Sequence, residues 1–160
     1  MPTMLRPFAD WLAATPLSKL LQEHLWIIPT SQSIHIVAVS VVFASACMIN
    51  LRLLGVGRSG RSVATLSATL IPWMWRGLVV LLCTGLIQII AEPVRQFVAP
   101  VFWAKMAMIV VVATMTGFYA RTARGHRPLW DTAFALLSTL LWLAIITCGR
   151  FIGYTWSLYA

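Results

Sequence analysis

Charge is what this sequence lacks. Of its 160 residues only 10% are Asp, Glu, Lys or Arg, while 60% are hydrophobic and the mean hydropathy is +0.86. Soluble domains carry about a quarter charged residues, so a soluble globular fold is excluded. Acid is scarcer still: four Asp and Glu stand against twelve Lys and Arg, for a net charge of +8. Between Glu23 and Arg52 the only titratable side chains are His24, His35 and Cys47. That gap exceeds the roughly 20 helical residues needed to cross a hydrocarbon core of about 30 Å.

Cysteine is also sparse. Cys47, Cys83 and Cys148 fall inside apolar stretches, with no CxxC pair and no CxxCH attachment site for covalent haem, and they read as small packing residues. The stretch "FASAC" ending at Cys47 has the look of a lipoprotein cleavage site. A long N-terminal stretch precedes it and "MINLRLLG" continues it, so no cleaved signal is expected. No HExxH, no phosphate-binding glycine loop and no Ser/His/Asp or Cys/His set sharing one site occurs, which leaves a stand-alone enzyme with little support.

What is present is a series of apolar segments. The expected fold class is all-α: an integral-membrane four-helix bundle preceded by an N-terminal interfacial amphipathic segment over residues 1–30. Within that segment Pro16 divides the chain, and Leu17, Leu20, Leu21, His24 and Leu25 follow helical spacing. Pro29, Thr30 and Ser31 make a break and an N-terminal cap. Spans are expected at about 31–54, 71–91, 101–120 and 130–150, making 31–160 the transmembrane domain. All are helices, because an open sheet leaves backbone groups unsatisfied in lipid.

The basic residues orient the bundle. Loops near 55–62 and 121–128 hold Arg58, Arg61, Arg121, Arg124 and Arg127, bordered by Arg52 and Arg76, against Asp131 alone. The other side has Arg6, Lys19, Arg95, Lys105 and Arg150 against Asp10, Glu23 and Glu92. The excess of +6 over +2 predicts that the loops face the cytoplasm and both termini face out. Orientation explains the charge better than nucleic-acid binding does, and no nucleic-acid partner is expected. His126, between Arg124 and Arg127, reads as a solvated loop residue.

Threading four helices through this topology gathers polar groups at the outer end. His35 begins the first span, Gln88 and Glu92 end the second, Lys105 lies one turn into the third, and Arg150 closes the fourth. Ionisable groups at membrane depth turn toward partners or cavities. His35 shares its stripe with Ala38, Val42, Ser45 and Ala46, Glu92 with Gln88, Gly85 and Gly77, Lys105 with Met108, Val112, Met115 and Tyr119, and Arg150 with Thr147, Leu143 and Thr139. The bland alternative is that Lys105 and Arg150 snorkel to the interface and that Trp26, Trp103 and Tyr154 are belt aromatics. His35 is too short to snorkel. The expected ligand-binding set is therefore His35, Lys105, Arg150, Glu92, Gln88 and Met108, with His35 as the candidate metal ligand.

The stretch "LWIIPTSQSIHIVAVSVVFASACMINLRLLG", with "FWAKM" (Phe102 to Met106) and "GRFIGY" (Gly149 to Tyr154), resembles a family of small four-helix bacterial inner-membrane proteins catalogued as a domain of unknown function. The likeness covers nearly the whole chain, resting on Leu25, Trp26, Pro29, His35 and Leu51 to Gly55. It implies the four-helix topology and singles out His35, Lys105 and Arg150, with no activity attached. Where the family pattern has acids, this chain has Gln32 and Asn50, which argues against a role needing a carboxylate beside the His, such as proton relay. The His-bearing helix is also similar to the membrane domain of copper-resistance D-type proteins.

Three functions fit these residues. One is an electron-transfer or quinone-linked subunit, with His35 ligating haem b or hydrogen-bonding a quinone and Lys105 and Arg150 pairing propionates or polarising the quinone oxygen. Its second axial ligand would be His24, Met106 or Met108. Another is copper handling by His35, Met48, Met106 and Met108, disfavoured by the nearby cations. The third is a non-catalytic scaffold or accessory subunit that binds a partner protein or lipid headgroups, with Lys105 and Arg150 receiving an anionic group. Partners expected with any of them are the lipid bilayer and either further copies of the chain, as a homo-oligomer, or a membrane protein complex.

Overall fold

The computed structural model describes residues 2–56, 62–122 and 128–155. Arg58, Arg61, Arg124, His126 and Arg127 of the basic loops lie outside the described residues, as does the side chain of Arg121. Among the described residues every element is helical. A 3-10 turn (Pro2–Leu5) leads into α1 (Arg6–Ala13) and α2 (Pro16–Glu23), then α3 (Ile27–Leu53), α4 (Val63–Ala91), a short α5 (Pro93–Val98), α6 (Pro100–Thr122) and α7 (Pro128–Thr155). Ile27–Leu53, Val63–Ala91, Pro100–Tyr119 and Leu129–Tyr154 are long and apolar enough to cross a membrane. At about 1.5 Å per residue, 20 residues already match a hydrocarbon core of about 30 Å.

The helix boundaries differ from expectation at informative places. The first span begins at Ile27, so Pro29 and Thr30 do not break it and Ser31 does not cap it. Pro29 falls in the first turn, where backbone N–H groups have no intrahelical acceptor and a missing one costs nothing. Ser31 is buried instead and donates its hydroxyl to the Thr84 carbonyl at 3.4 Å. The second span is one continuous helix from Val63 rather than a membrane part starting near Ile71. Ser62 caps it by accepting from the Thr65 N–H at 3.1 Å, and Pro72 sits inside. Between the second and third spans lies α5, which hydropathy does not reveal. Pro93 opens it and Ala99, extended at ψ 118° ahead of Pro100, closes it.

The amphipathic segment folds as two helices separated by Ala14 and Thr15. Thr15 is extended, and its hydroxyl oxygen accepts from the Ser18 N–H at 3.3 Å, with Pro16 in the first turn of α2. This arm packs over one end of the bundle, α1 on α5 and α2 on α4. Fully buried Ala9 and Ser18 allow the close approach. Gln22 donates its amide to the Ala91 carbonyl at 2.8 Å, capping a free C=O at the end of α4. Trp11, Leu25 and Trp26 remain exposed, as an arm lying in a membrane interface requires.

Within the bundle α3 packs most extensively on α4, then α6 on α7 and α3 on α7; the α4–α6 side is the loosest. All four spans meet around Val42, Met74, Val112, Trp142 and Ile145. Large side chains such as Val79, Leu82, Val110, Phe118 and Leu140 point outward, the arrangement of a membrane protein, in which lipid is as apolar as the core. The α3–α4 contact is closest at Gly77, where an added Cβ would stand 2.5 Å from Cγ2 of fully buried Val42. Gly77→Ala is expected to destabilise the bundle by about 1–3 kcal/mol, since stiff, buried Val42 cannot yield. Gly117→Ala, with nothing within 4 Å of its added methyl, is expected to be neutral or to stabilise by up to about 1 kcal/mol. Unfolding midpoints of the two variants in detergent check the contrast.

Candidate functional site

The α3–α4 contact carries His35 to the arm-covered end. Its Nδ1 lies 2.7 Å from Thr84 Oγ1, and the ring passes over Gly85, with Cε1 3.8 Å from where a Cβ would stand. The Thr84 hydroxyl has one proton and lies 2.7 Å from the Val80 carbonyl. A carbonyl cannot donate, so that proton points to Val80 and Thr84 Oγ1 accepts from His35 Nδ1–H. The free lone pair of the neutral ring is then on Nε2. Among the described residues no side chain or backbone group takes it.

Lys105, one turn into α6, enters the same end. Its Nζ lies 3.6 Å from the Cβ position of Gly149 on α7, so the side chain fills the space that glycine leaves. No hydrogen bond or ion pair reaches the ammonium among the described residues. One turn further along α7, Gly153 receives a second cation: Arg95 of α5 brings NH2 to 3.5 Å from the Gly153 Cβ position. Arg95 NH1 donates to Glu92 Oε2 at 2.7 Å, while its buried Nε has no partner.

This end of the bundle therefore holds His35 with Thr84 and Gly85, Lys105 with Gly149, and the Arg95–Glu92 pair at Gly153, one turn on along α7. Other expected members lie elsewhere. Arg150 is exposed on α7, where it donates to Tyr154 Oη at 2.9 Å and lies over that ring at 5.1 Å, so it does not turn inward. Met108 packs into the apolar core. Glu92 is bound to Arg95 rather than to Lys105, and buried Gln88 Nε2 has no partner. Of the two amides standing where the family pattern has acids, Asn50 is not beside His35. Fifteen residues along α3, about 22 Å by helical rise, it donates to Thr139 Oγ1 at 3.0 Å near the opposite end.

Sequence reasoning missed Thr84 and Arg95. Thr84 is 49 residues from His35, and nothing local marks the pairing. The Gly149–Gly153 spacing in "GRFIG" is visible in the sequence, and small residues at i, i+4 are a signature of close approach between membrane helices. Here cations rather than a helix backbone occupy that groove.

These features define the class: a small four-span membrane protein, α-helical throughout its described residues, with a histidine- and lysine-bearing polar site at one end of an apolar bundle. Residues 10–155 match a family of unknown function, DUF6644, and the chain belongs to it. No curated protein and no solved structure matches it.

Thr84→Val removes the acceptor for Nδ1–H while keeping the side chain's shape. It is expected to cost about 1 kcal/mol and to convert His35 from a single Nδ1–H tautomer to a mixture. ¹⁵N-histidine NMR of the two proteins in detergent checks the tautomer.

Proposed function

We propose that this chain is a small accessory or anchor subunit of a bacterial inner-membrane complex, and that its polar end binds the head of a quinone or quinol. The observation that carries the proposal is that an open His35 Nε2 lone pair and a Lys105 ammonium that no hydrogen bond or ion pair reaches among the described residues lie toward the same end of the bundle. A quinone carbonyl accepts from the ammonium. A quinol hydroxyl donates to the imidazole. The two groups thus meet both redox states of one head, and the apolar surroundings suit its tail.

A haem b at His35 is less well supported. His24 is exposed on the arm with Nδ1 2.9 Å from the Leu20 carbonyl, Met106 is exposed and Met108 packs in the core, so none of these three candidates is held as a second axial ligand. The copper reading has the same weakness, because Met48 is exposed thirteen residues along α3 from His35. Among the described residues no three His, Cys, Asp or Glu gather as a metal site.

The positive-inside rule orients the subunit. Arg52, in the last turn of α3, lies at the end opposite His35, whereas Arg76, expected to border that end, lies midway along α4 beside Gly77, because the helix begins at Val63 rather than near Ile71. Arg52 supports a cytoplasmic position for its end of the bundle, a quinone site in the outer leaflet and both termini in the periplasm. The exposed face of α6, with Val110, Val111 and Phe118, is where a partner subunit or a further copy would pack.

The test is titration of the purified full chain in mild detergent with a short-chain quinone. His35→Ala and Lys105→Met are each expected to weaken the Kd by about 10-fold, the worth of one hydrogen bond to a polar head, and Arg150→Ala to leave it unchanged. Indistinguishable affinities across all four proteins would overturn the proposal. Stoichiometric haem with a Soret band lost in His35→Ala would replace the quinone by haem b. A ligand-free chain copurifying with a defined partner would leave only the scaffold role.

A further inference from the structure

Arg76 is a charge that belongs neither to the core nor to the His35 end. It stands beside Gly77 on α4, and Gly77 meets Val42 at the level where all four spans come together around Val42, Met74, Val112, Trp142 and Ile145. That level is close to the midpoint of every span: Gly77 in Val63–Ala91, Val42 in Ile27–Leu53, Val112 in Pro100–Thr122 and Trp142 in Pro128–Thr155. Arg76 is nevertheless exposed, on an outward stripe of α4 at helical spacing that comprises Thr69, Trp73, Arg76, Val80 and Cys83. Its guanidinium ends on the Trp73 ring, with Cζ 5.1 Å from the centroid. No hydrogen bond or ion pair reaches it among the described residues. An open-sided cavity of about 600 Å³ lies in the half of the bundle away from His35, but α4 lines it with Ser67, Ile71 and Met74, beside Asn50 and Asp131, and not with Arg76.

An arginine facing acyl chains at mid-span is costly and marks a pairing to be made. Snorkelling falls short, because three methylenes and a guanidinium cover less than half of the roughly 15 Å from the middle of a hydrocarbon core to its edge. The indole face offsets part of the charge but leaves the five N–H donors without an oxygen acceptor. A carboxylate meets both needs, since it accepts the guanidinium fork in two parallel hydrogen bonds. This chain does not supply one. Its four acids are Asp10 in α1, Glu23 at the end of α2, Glu92 between α4 and α5, and Asp131 in the first turn of α7, all away from the mid-level. A second copy in the same orientation has its acids at the same levels, and a twofold across this face sets Arg76 against Arg76.

We infer that the outward stripe of α4 around Arg76 is a docking face for a spanning helix of a different membrane protein, one that carries an Asp or Glu at mid-membrane depth. Trp73 and Val80 pack against that helix, and Arg76 receives its carboxylate. The inference rests on the accessory-subunit reading, whose partner it characterises, and not on the quinone site.

Co-reconstitution of the full chain in phosphatidylcholine vesicles with synthetic poly-leucine helices tests this. The helices carry a single Asp, Leu or Lys at the centre and a dansyl group, and association is followed by energy transfer from the chain's tryptophans as the mole fraction of helix rises. The Asp helix is expected to associate about 10-fold more tightly than the Leu helix, the worth of a hydrogen bond to a charged group, and the Lys helix no better than the Leu helix. Arg76→Leu abolishes the preference, while Arg76→Lys, which keeps the charge but not the fork, retains part of it. Moving the Asp two turns from the centre also removes it. His35→Ala leaves the preference intact and Arg76→Leu leaves the quinone affinity intact, so the two proposals fail separately. Equal association of the Asp and Leu helices, or a preference that survives Arg76→Leu, would overturn the inference while leaving a copurifying partner to bind elsewhere. A preference abolished by phosphatidylglycerol in the vesicles would assign the guanidinium to a lipid phosphate, and a wild-type dimer dispersed by Arg76→Leu would assign it to a second copy; either result overturns the inference too.

Discussion

The contact of Gly77 with Val42 sets the register on which the rest depends. In an antiparallel pair, seven residues back along α3 from Val42 is His35, and seven residues on along α4 from Gly77 is Thr84. Two helical turns on each helix, about 10.5 Å, thus turn a steric fit at the core into a hydrogen bond at the end. Ser31, one turn further, bonds the Thr84 carbonyl. Without a glycine at 77 the two helices separate, and the imidazole loses the acceptor that fixes its tautomer.

A second use of glycine shapes the charges. In the packing of membrane helices, small residues at i, i+4 let backbones meet. On α7 they let cations in, Lys105 at Gly149 and Arg95 at Gly153. Only one carboxylate, Glu92, is paired nearby, and it is taken by Arg95. The positive charge left over is that of Lys105, held at a depth where exposed Arg150, with its ring partner Tyr154, does not have to remain.

Much of this was legible beforehand, for identifiable reasons. The four spans follow from length and hydropathy, and the small-residue stripe through Ala38, Val42, Ser45 and Ala46 correctly places the His35 face toward a neighbouring helix. The family resemblance was equally visible in the first-helix pattern. The start of the first span was not, because a proline in a helix's first turn is indistinguishable in sequence from a break. Whether Arg150 turns inward or snorkels was left open, because a long side chain at a helix end reaches either way with equal ease, and its contact with Tyr154 one turn on holds it outward. Asp131 and Asn50 looked like a loop charge and a family departure; their meeting around one cavity needs α3 and α7 side by side, which no single helix announces.

The loose α4–α6 side has a thermodynamic consequence. With the arm tied over one end through Gln22 and Ala91, an approach from the acyl-chain region, between α4 and α6, bypasses the arm. A molecule arriving that way binds as a solute of the bilayer. Its occupancy then follows its mole fraction among the lipids rather than its concentration in water, and responds to changes in membrane composition that leave the aqueous phases untouched.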